Sequence, residues 1–234
     1  NRFNMAIKKI IAVASAKGGV GKSSITAGLA LSMSQSFKVG ILDADIYGPN
    51  QHILFDVENS KPNLIKKNEK KYFEPIISNN VALNSMGFVL DNDKAAVWRG
   101  PMLSGAIRQL MDSTIWGDLD YLFIDMPPGT GDAYLTVASE IKPDYCLLVT
   151  TANKLSIHDV HKSITTFNKL NIKILGFIDN NISNYEFEKD FSSFKNLNVE
   201  HIGSIPFNKN IYSFDKNNIN NLFVNLSSRI VSLV

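Results

Sequence analysis

The densest chemistry in this chain lies in ten residues, Ser15-Ala16-Lys17-Gly18-Gly19-Val20-Gly21-Lys22-Ser23-Ser24. Gly21-Lys22-Ser23 is the GK[ST] half of a phosphate-binding loop, in which the lysine reaches the β- and γ-phosphates of a nucleotide and the hydroxyl ligates Mg²⁺. Gly18, Gly19 and Gly21 let the backbone wrap closely around phosphates without Cβ clashes. Val20 and Ser24 join them as nucleotide-binding candidates. Lys17 is surplus to this arrangement. It stands just before the glycines and cannot easily fold back onto the phosphate that Lys22 neutralises, so it is free to reach a nucleotide held by a second subunit. The loop therefore implies ATP and a homodimer together. Ala16 stands where the general pattern has its first glycine.

Three carboxylates are placed to serve the same chemistry. Asp125 ends the apolar run Leu119-Asp-Tyr-Leu-Phe-Ile-Asp125 and precedes Met-Pro-Pro-Gly-Thr-Gly-Asp132. A carboxylate at a strand end is the Walker B placement, opposite the Ser23 hydroxyl in the Mg²⁺ shell. The Pro-Pro-Gly-Thr-Gly stretch, rigid and then permissive, suits a switch loop that responds to the γ-phosphate. Asp132 is expected to cap the next helix before Ala133. Asp43 and Asp45 lie two apart at the end of another strand-like run, which puts their side chains on one face. Near a triphosphate such a pair implies Mg²⁺, with Asp43 in the metal's water shell and Asp45 orienting the attacking water; the alternative is a pair of turn residues leading into Tyr47-Gly-Pro49.

The elements needed to position these groups are present in order. Ile7 to Ala14 is a short apolar, β-branched run apt for a doubly buried strand. From Ser23 to about Ser36, Ile25, Leu29 and Met33 recur at four-residue spacing, so a helix opens where the glycines end. Its N-terminus presents free N–H groups and partial positive charge to the phosphates. Further strands are expected at Val39–Asp45, Val81–Met86, Tyr121–Asp125, Tyr145–Thr150, Ile172–Ile178 and His201–Ile205. Helices are expected near Pro101–Asp112, Asp132–Ile141, Ile157–Leu170 and Asn221–Val234. This alternation predicts an α/β fold: one doubly wound, mostly parallel sheet with helices on both faces, and ligands at the strand C-terminal ends. Residues 46–80, rich in Asn, Lys and Pro, read as an irregular insertion in a single domain spanning 1–234, and its basic run Lys66–Lys71 as a solvated loop.

The 234 residues carry a net charge of +2, too mild to point to nucleic acid. No apolar stretch approaches the roughly 20 residues that span a bilayer, and no secretory leader is visible, so a soluble cytoplasmic protein is expected. The chain starts at Asn1 rather than Met, as a trimmed chain with an upstream domain removed would. The single cysteine excludes an intrachain disulfide framework; Cys146, inside an apolar strand-like run, reads as a buried, inert thiol.

Four strings, Lys17-Gly-Gly-Val-Gly-Lys-Ser23, Asp43-Ala-Asp-Ile-Tyr-Gly-Pro-Asn50, Trp98-Arg-Gly-Pro-Met102 and Asp125-Met-Pro-Pro-Gly-Thr-Gly-Asp132, together resemble the Mrp/ApbC group of P-loop ATPases. These are iron–sulfur cluster carriers within the deviant Walker A superfamily of MinD and ParA. The resemblance implies slow ATP hydrolysis in a dimer with ATP sandwiched at the interface, where Lys17 contacts the partner's nucleotide, and it implies iron–sulfur client or scaffold proteins as partners. It also makes Asn180, in Gly176-Phe-Ile-Asp-Asn180, the adenine contact and Pro206, in Ser204-Ile-Pro206-Phe207, part of the loop beside the base. Arg99 is either a phosphate contact or a surface ion pair.

The chain departs from the resemblance just after Asn180. Cluster carriers place a C-x-x-C pair there, whereas this chain has Asn181-Ile-Ser-Asn-Tyr-Glu-Phe-Glu-Lys-Asp190. Since four thiolates usually ligate such clusters, no iron–sulfur cluster site is expected from this chain alone. Two alternative readings stand beside the carrier: a MinD/ParA-like positioning ATPase, and a nucleotide-gated adaptor with negligible turnover. The C-terminal stripe Leu222, Phe223, Leu226, Ile230 and Leu233 has Arg229 as its one cation from 217 to 234. A membrane-binding helix wants a Lys/Arg-rich polar face, so packing on the sheet is expected instead.

Overall fold

The computed structural model describes residues 7–67, 69–89, 101–151, 154–183 and 191–234. At its centre is an eight-stranded sheet. Its strands are β1 (Lys9–Ala14), β2 (Val39–Asp43), β5 (Ile76–Ser78), β6 (Val81–Ser85), β7 (Tyr121–Asp125), β8 (Tyr145–Thr150), β9 (Lys173–Asn180) and β10 (His201–Ile205). The spatial order is β10-β9-β8-β1-β7-β2-β6-β5, and every pairing is parallel except β5 with β6. The phosphate-loop strand β1 thus lies between β7 and β8. Helices α1 (Lys22–Met33), α3 (Pro101–Ser113), α4 (Asp132–Ile141), α5 (Lys154–Lys169) and α8 (Lys216–Leu233) cover the sheet, and α2 (Gln51–Leu54), α6 (Ser192–Asn196) and α7 (Lys209–Tyr212) are single turns.

Strand alternation divides the core into two layers. Ile11 and Val13 of β1 pack with Ile25 and Leu29 of α1 and with Phe223 of α8, while Ala12 and Ala14 face Ile107, Tyr134 and Phe167 of α3, α4 and α5. Both faces are covered, which is why the strands read as continuous apolar runs. Helices α1 and α8 approach so closely at Gly28 that a Cβ there would stand 2.3 Å from the Phe223 ring. Ile219, Phe223, Leu226 and Ile230 are all buried against this layer, so the C-terminal stripe packs on the body of the protein. No described helix is long and apolar enough to cross a membrane.

Two expectations need correction. Residues 46–80 are not irregular: they contain α2, the antiparallel pair β3 (Leu64–Lys67) and β4 (Lys70–Phe73), and the sheet-edge strand β5. The basic run is therefore the end of a hairpin. Asp132 does not cap α4. Gly131 is the N-cap and Asp132 the first helical residue, where its charge favours the helix dipole without a capping bond.

Candidate functional site

The loop between β1 and α1 curls through two left-handed glycines, Gly19 at φ 78° and Gly21 at φ 83°. Glycine adopts both conformations at little cost because it has no Cβ. Gly21 is the N-cap of α1, and its carbonyl accepts from the Ile25 N–H at 3.0 Å. The helix N-terminus is thereby aimed into a cavity of about 210 Å³ lined by Gly18, Gly19, Lys22, Ser23, Asp45 and Pro128, among others. A larger cavity, about 560 Å³, lies at the opposite end of β8 and β9 around Lys142, Tyr145 and Lys173. No helix N-terminus lines it, whereas α1 opens into the smaller one.

Strand register brings the carboxylates together. Asp43 of β2 lies directly beside Asp125 of β7, and Val13 of β1 lies on Asp125's other side. Lys22 Nζ is hydrogen-bonded to Asp125 Oδ1, donates to Ser23 Oγ at 3.4 Å and stands 3.9 Å from Asp45 Oδ2. Lysine and aspartate are both buried, so each is strongly dependent on its partner. Asp43 is fully buried: its Oδ2 accepts from the Gln51 N–H and from Ser85 Oγ, each at 3.0 Å, and its Oδ1 from the Asp45 N–H at 3.2 Å. Burial, followed by the neighbouring Asp125 charge, pushes its carboxyl up to about 7. Burial also raises Asp45 from its ordinary value, opposed by the Lys22 charge.

The two-residue spacing of Asp43 and Asp45 does not place them alike. β2 ends at Asp43, so strand alternation stops before Asp45. Asp45 lines the cavity and accepts from the Tyr47 and Gly48 N–H groups at 3.0 and 3.1 Å, whereas Asp43 is packed behind it against Ser85 and Gln51. Lys17, Gly18 and Gly19 are exposed, Val20 is buried and Ser24 half-buried in the first turn of α1. Asn180 ends β9 and is 4% exposed; its Nδ2 donates to the Val20 carbonyl at 2.8 Å. A Cβ on Gly21 would lie 2.3 Å from that amide nitrogen, so this close approach is a second reason for glycine at 21. Pro206 is exposed just past β10, and the Ile205 carbonyl accepts from the Asn181 N–H at 2.9 Å. Trp98 and Arg99, and residues 184–190 of the stretch after Asn180, lie outside the described residues.

Sequence reasoning missed Gln51. It is fully buried, and its Nε2 donates to Asp125 Oδ2 at 2.8 Å and to the Ser23 carbonyl at 3.0 Å. The signal was its place directly after Asp43-Ala-Asp-Ile-Tyr-Gly-Pro-Asn50. Thr26 was missed too: its Oγ1 donates to the Lys22 carbonyl at 3.0 Å and lies 3.4 Å from Asp125 Oδ1. Cys146, by contrast, is where the sequence put it, fully buried in β8 beside Ala12, with its thiol pushed well up by burial.

The family model described as ParA: NUBPL iron-transfer P-loop NTPase matches residues 6–229. The chain belongs to this family. Among relatives of this P-loop NTPase, the iron–sulfur cluster carrier protein of Pseudomonas fragi is 48% identical over 74% of the chain and 60% of its own length. That of Escherichia coli strain K12 is 46% identical over 74% of the chain and 47% of its own length. The matched stretch thus spans about half the length of these curated relatives. A nucleotide-binding protein from Archaeoglobus fulgidus, solved in complex with ADP, is 33% identical with a TM-score of 0.73, covering 93% of this chain and 87% of that one. The cell division ATPase MinD of Pyrococcus furiosus shares the fold at a TM-score of 0.76 and 20% identity, over 97% of this chain and all of its own.

Proposed function

We propose that this NUBPL-type P-loop NTPase is a Mg²⁺-dependent ATPase that dimerises around two ATP molecules and uses that switch in iron–sulfur protein assembly. The observation that carries the reading is the buried Lys22 held among Asp125, Asp45 and Ser23 at the N-terminus of α1. A lysine surrounded by acceptors at a positive helix end is ready to exchange a carboxylate for a phosphate. The relative from A. fulgidus, solved with ADP, supports a nucleotide there.

The donor set also fits Mg²⁺. Among the described residues no three His, Cys, Asp or Glu side chains form a metal cage. Mg²⁺ seldom uses such a cage, preferring one or two carboxylates with substrate phosphates and water. Ser23 Oγ, Asp125 and, through water, Asp43 would hold it, and it would neutralise charge on the transferring phosphoryl group. Lys22 binds the β/γ-phosphates, Asp45 orients the attacking water from the cavity wall, and the backbone from Gly18 to Ser24 cradles the phosphates. Lys17, exposed on the outer side of the loop, stabilises charge on the partner's nucleotide. Asn180 and Pro206, brought together by the Asn181 to Ile205 hydrogen bond, flank the adenine.

The carrier role rests on the relatives' names and on the match to an iron-transfer family. These 234 residues supply one buried thiol, so cluster ligands must come from outside them. Burial of the C-terminal stripe favours this reading over a membrane-positioning ATPase. Three measurements on the full chain test it: ATP binding, phosphate release with and without Mg²⁺, and association state with ATP. A protein that binds no ATP, or stays monomeric with it, overturns the proposal. Anaerobic iron and sulfide reconstitution should leave no stoichiometric cluster on the chain alone.

A further inference from the structure

Gln51 sits in the single turn α2, yet touches the three elements that build the site. Its backbone N–H donates to Asp43 Oδ2, and its side-chain Nε2 donates both to Asp125 Oδ2 and to the Ser23 carbonyl in the first turn of α1. The two acceptors fix the amide orientation, since a carboxylate and a carbonyl both require the NH₂ end. The Oε1 atom is buried without a hydrogen-bond partner, and a buried acceptor left unsatisfied is costly. A structural glutamine in a pocket of acids would ordinarily satisfy both ends. This one leaves an acceptor beside Asp125 and Ser23, where a donor such as water would complete it.

Asp125 in this structure is held on both oxygens, Oδ1 by Lys22 and Oδ2 by Gln51. Phosphates that draw Lys22 away leave Oδ1 without that partner. A carboxylate turns about one bond, so holding Oδ2 also fixes where Oδ1 points. We propose that Gln51 is a positioning residue: it keeps the Asp125 carboxylate aimed at the Mg²⁺ shell once Lys22 has moved to the nucleotide, and its Oε1 accepts from a water of that shell. The proposal rests on the ATP- and Mg²⁺-binding reading above. It also ties the segment from Asp45 to Gln51 to Mg²⁺ occupancy through one side chain. Glutamate would serve poorly here, because a third acid would face Asp43 and Asp125.

The test is ATP affinity of the full chain by calorimetry, in EDTA and across a Mg²⁺ titration. Gln51→Met keeps length and burial but removes the amide. Its affinity in EDTA should stay within about twofold of wild type, while the tightening that Mg²⁺ brings should fall about tenfold, the effect of one hydrogen bond to a charged group. Gln51→Asn, whose amide is one methylene too short, should behave the same way and serves if the Met variant does not fold. Mg²⁺ tightening equal to wild type in either folded variant overturns the proposal, as does an equal loss with and without Mg²⁺, which marks a merely structural residue. A wild-type chain that binds no ATP, or gains nothing from Mg²⁺, overturns the underlying reading itself.

Discussion

The end of the sheet around Lys22 and the interior around Cys146 are treated in opposite ways by the same fold. At the first, strands β1, β2 and β7 stop in register, so that Asp43 and Asp125 meet at a loop-and-helix junction open to a cavity. At the second, the only thiol of the chain lies in the middle of β8, fully covered, with its ionisation suppressed by burial. A thiolate is the metal ligand, and a thiol sealed in apolar surroundings does not supply one. The strand ends thus offer charged groups to a cavity, while the one thiol of this sequence is withheld from any ligand.

Four residues offer ways to break or sharpen that contrast. The largest effect is expected from Lys17→Ala, which should cut ATP turnover by on the order of 10³-fold, the lower range for a cation supplied in trans, while single-subunit nucleotide binding is kept. Wild-type turnover together with ATP-dependent dimerisation would remove the sandwich from the picture. Next, Lys22→Ala should weaken ATP binding about 10²-fold, the loss of charge-assisted bonds to phosphate, as read by fluorescent nucleotide titration. On the other side of the contrast, Cys146 should resist thiol reagents in the native protein and react fully in denaturant. Cys146→Ser should cost about 1–3 kcal/mol in a urea melt by burying a hydroxyl, and should leave iron retention after reconstitution unchanged. A native-state thiol titration of one per chain would contradict the sealed interior.

The smallest effect concerns Asp43, whose folded value near 7 lies above its ordinary 3.8. Folding then favours the protonated form, so Asp43's contribution is most favourable below about pH 4 and is lost as pH rises towards 7. In nucleotide-free protein with EDTA, Asp43→Asn should gain stability relative to wild type between pH 5 and pH 8, by about 1 kcal/mol or more. A pH-independent difference in urea midpoints would show that Asp43 is ionised throughout.

Much of this was legible because the fold writes its site in local sequence. The glycines, Lys22 and the apolar runs of β1 and β7 give the loop and the Walker B carboxylate without tertiary information, and the helices α3, α4 and α8 follow from periodicity. Legibility failed between 46 and 80 for physical reasons. Helix α2 is one turn long, too short to show a period. Strands β3 and β4 are largely exposed and lysine-rich, so no alternation of burial marks them. β5 did leave a signal: Asn79 and Asn80 adopt φ 50° and 62° between the paired residues Ser78 and Val81, the left-handed pair of a two-residue hairpin turn. Gln51 was hidden for a different reason, since its partners lie 28 and 74 positions away. Asp43 and Asp45 misled because β2 stops at Asp43, two residues earlier than the alternation required.

The bond from Asn180 to the Val20 carbonyl joins residues 160 positions apart. One is on the phosphate loop and the other at the end of β9, next to the sheet-edge strand β10. Native proteins open locally as well as globally, in contiguous units of differing stability. Fraying of β9 and β10 would release the loop, and nucleotide bound at the loop would in turn protect that edge from opening. Amide hydrogen exchange along β9 and β10 is thus a gauge of whether the phosphate loop is occupied.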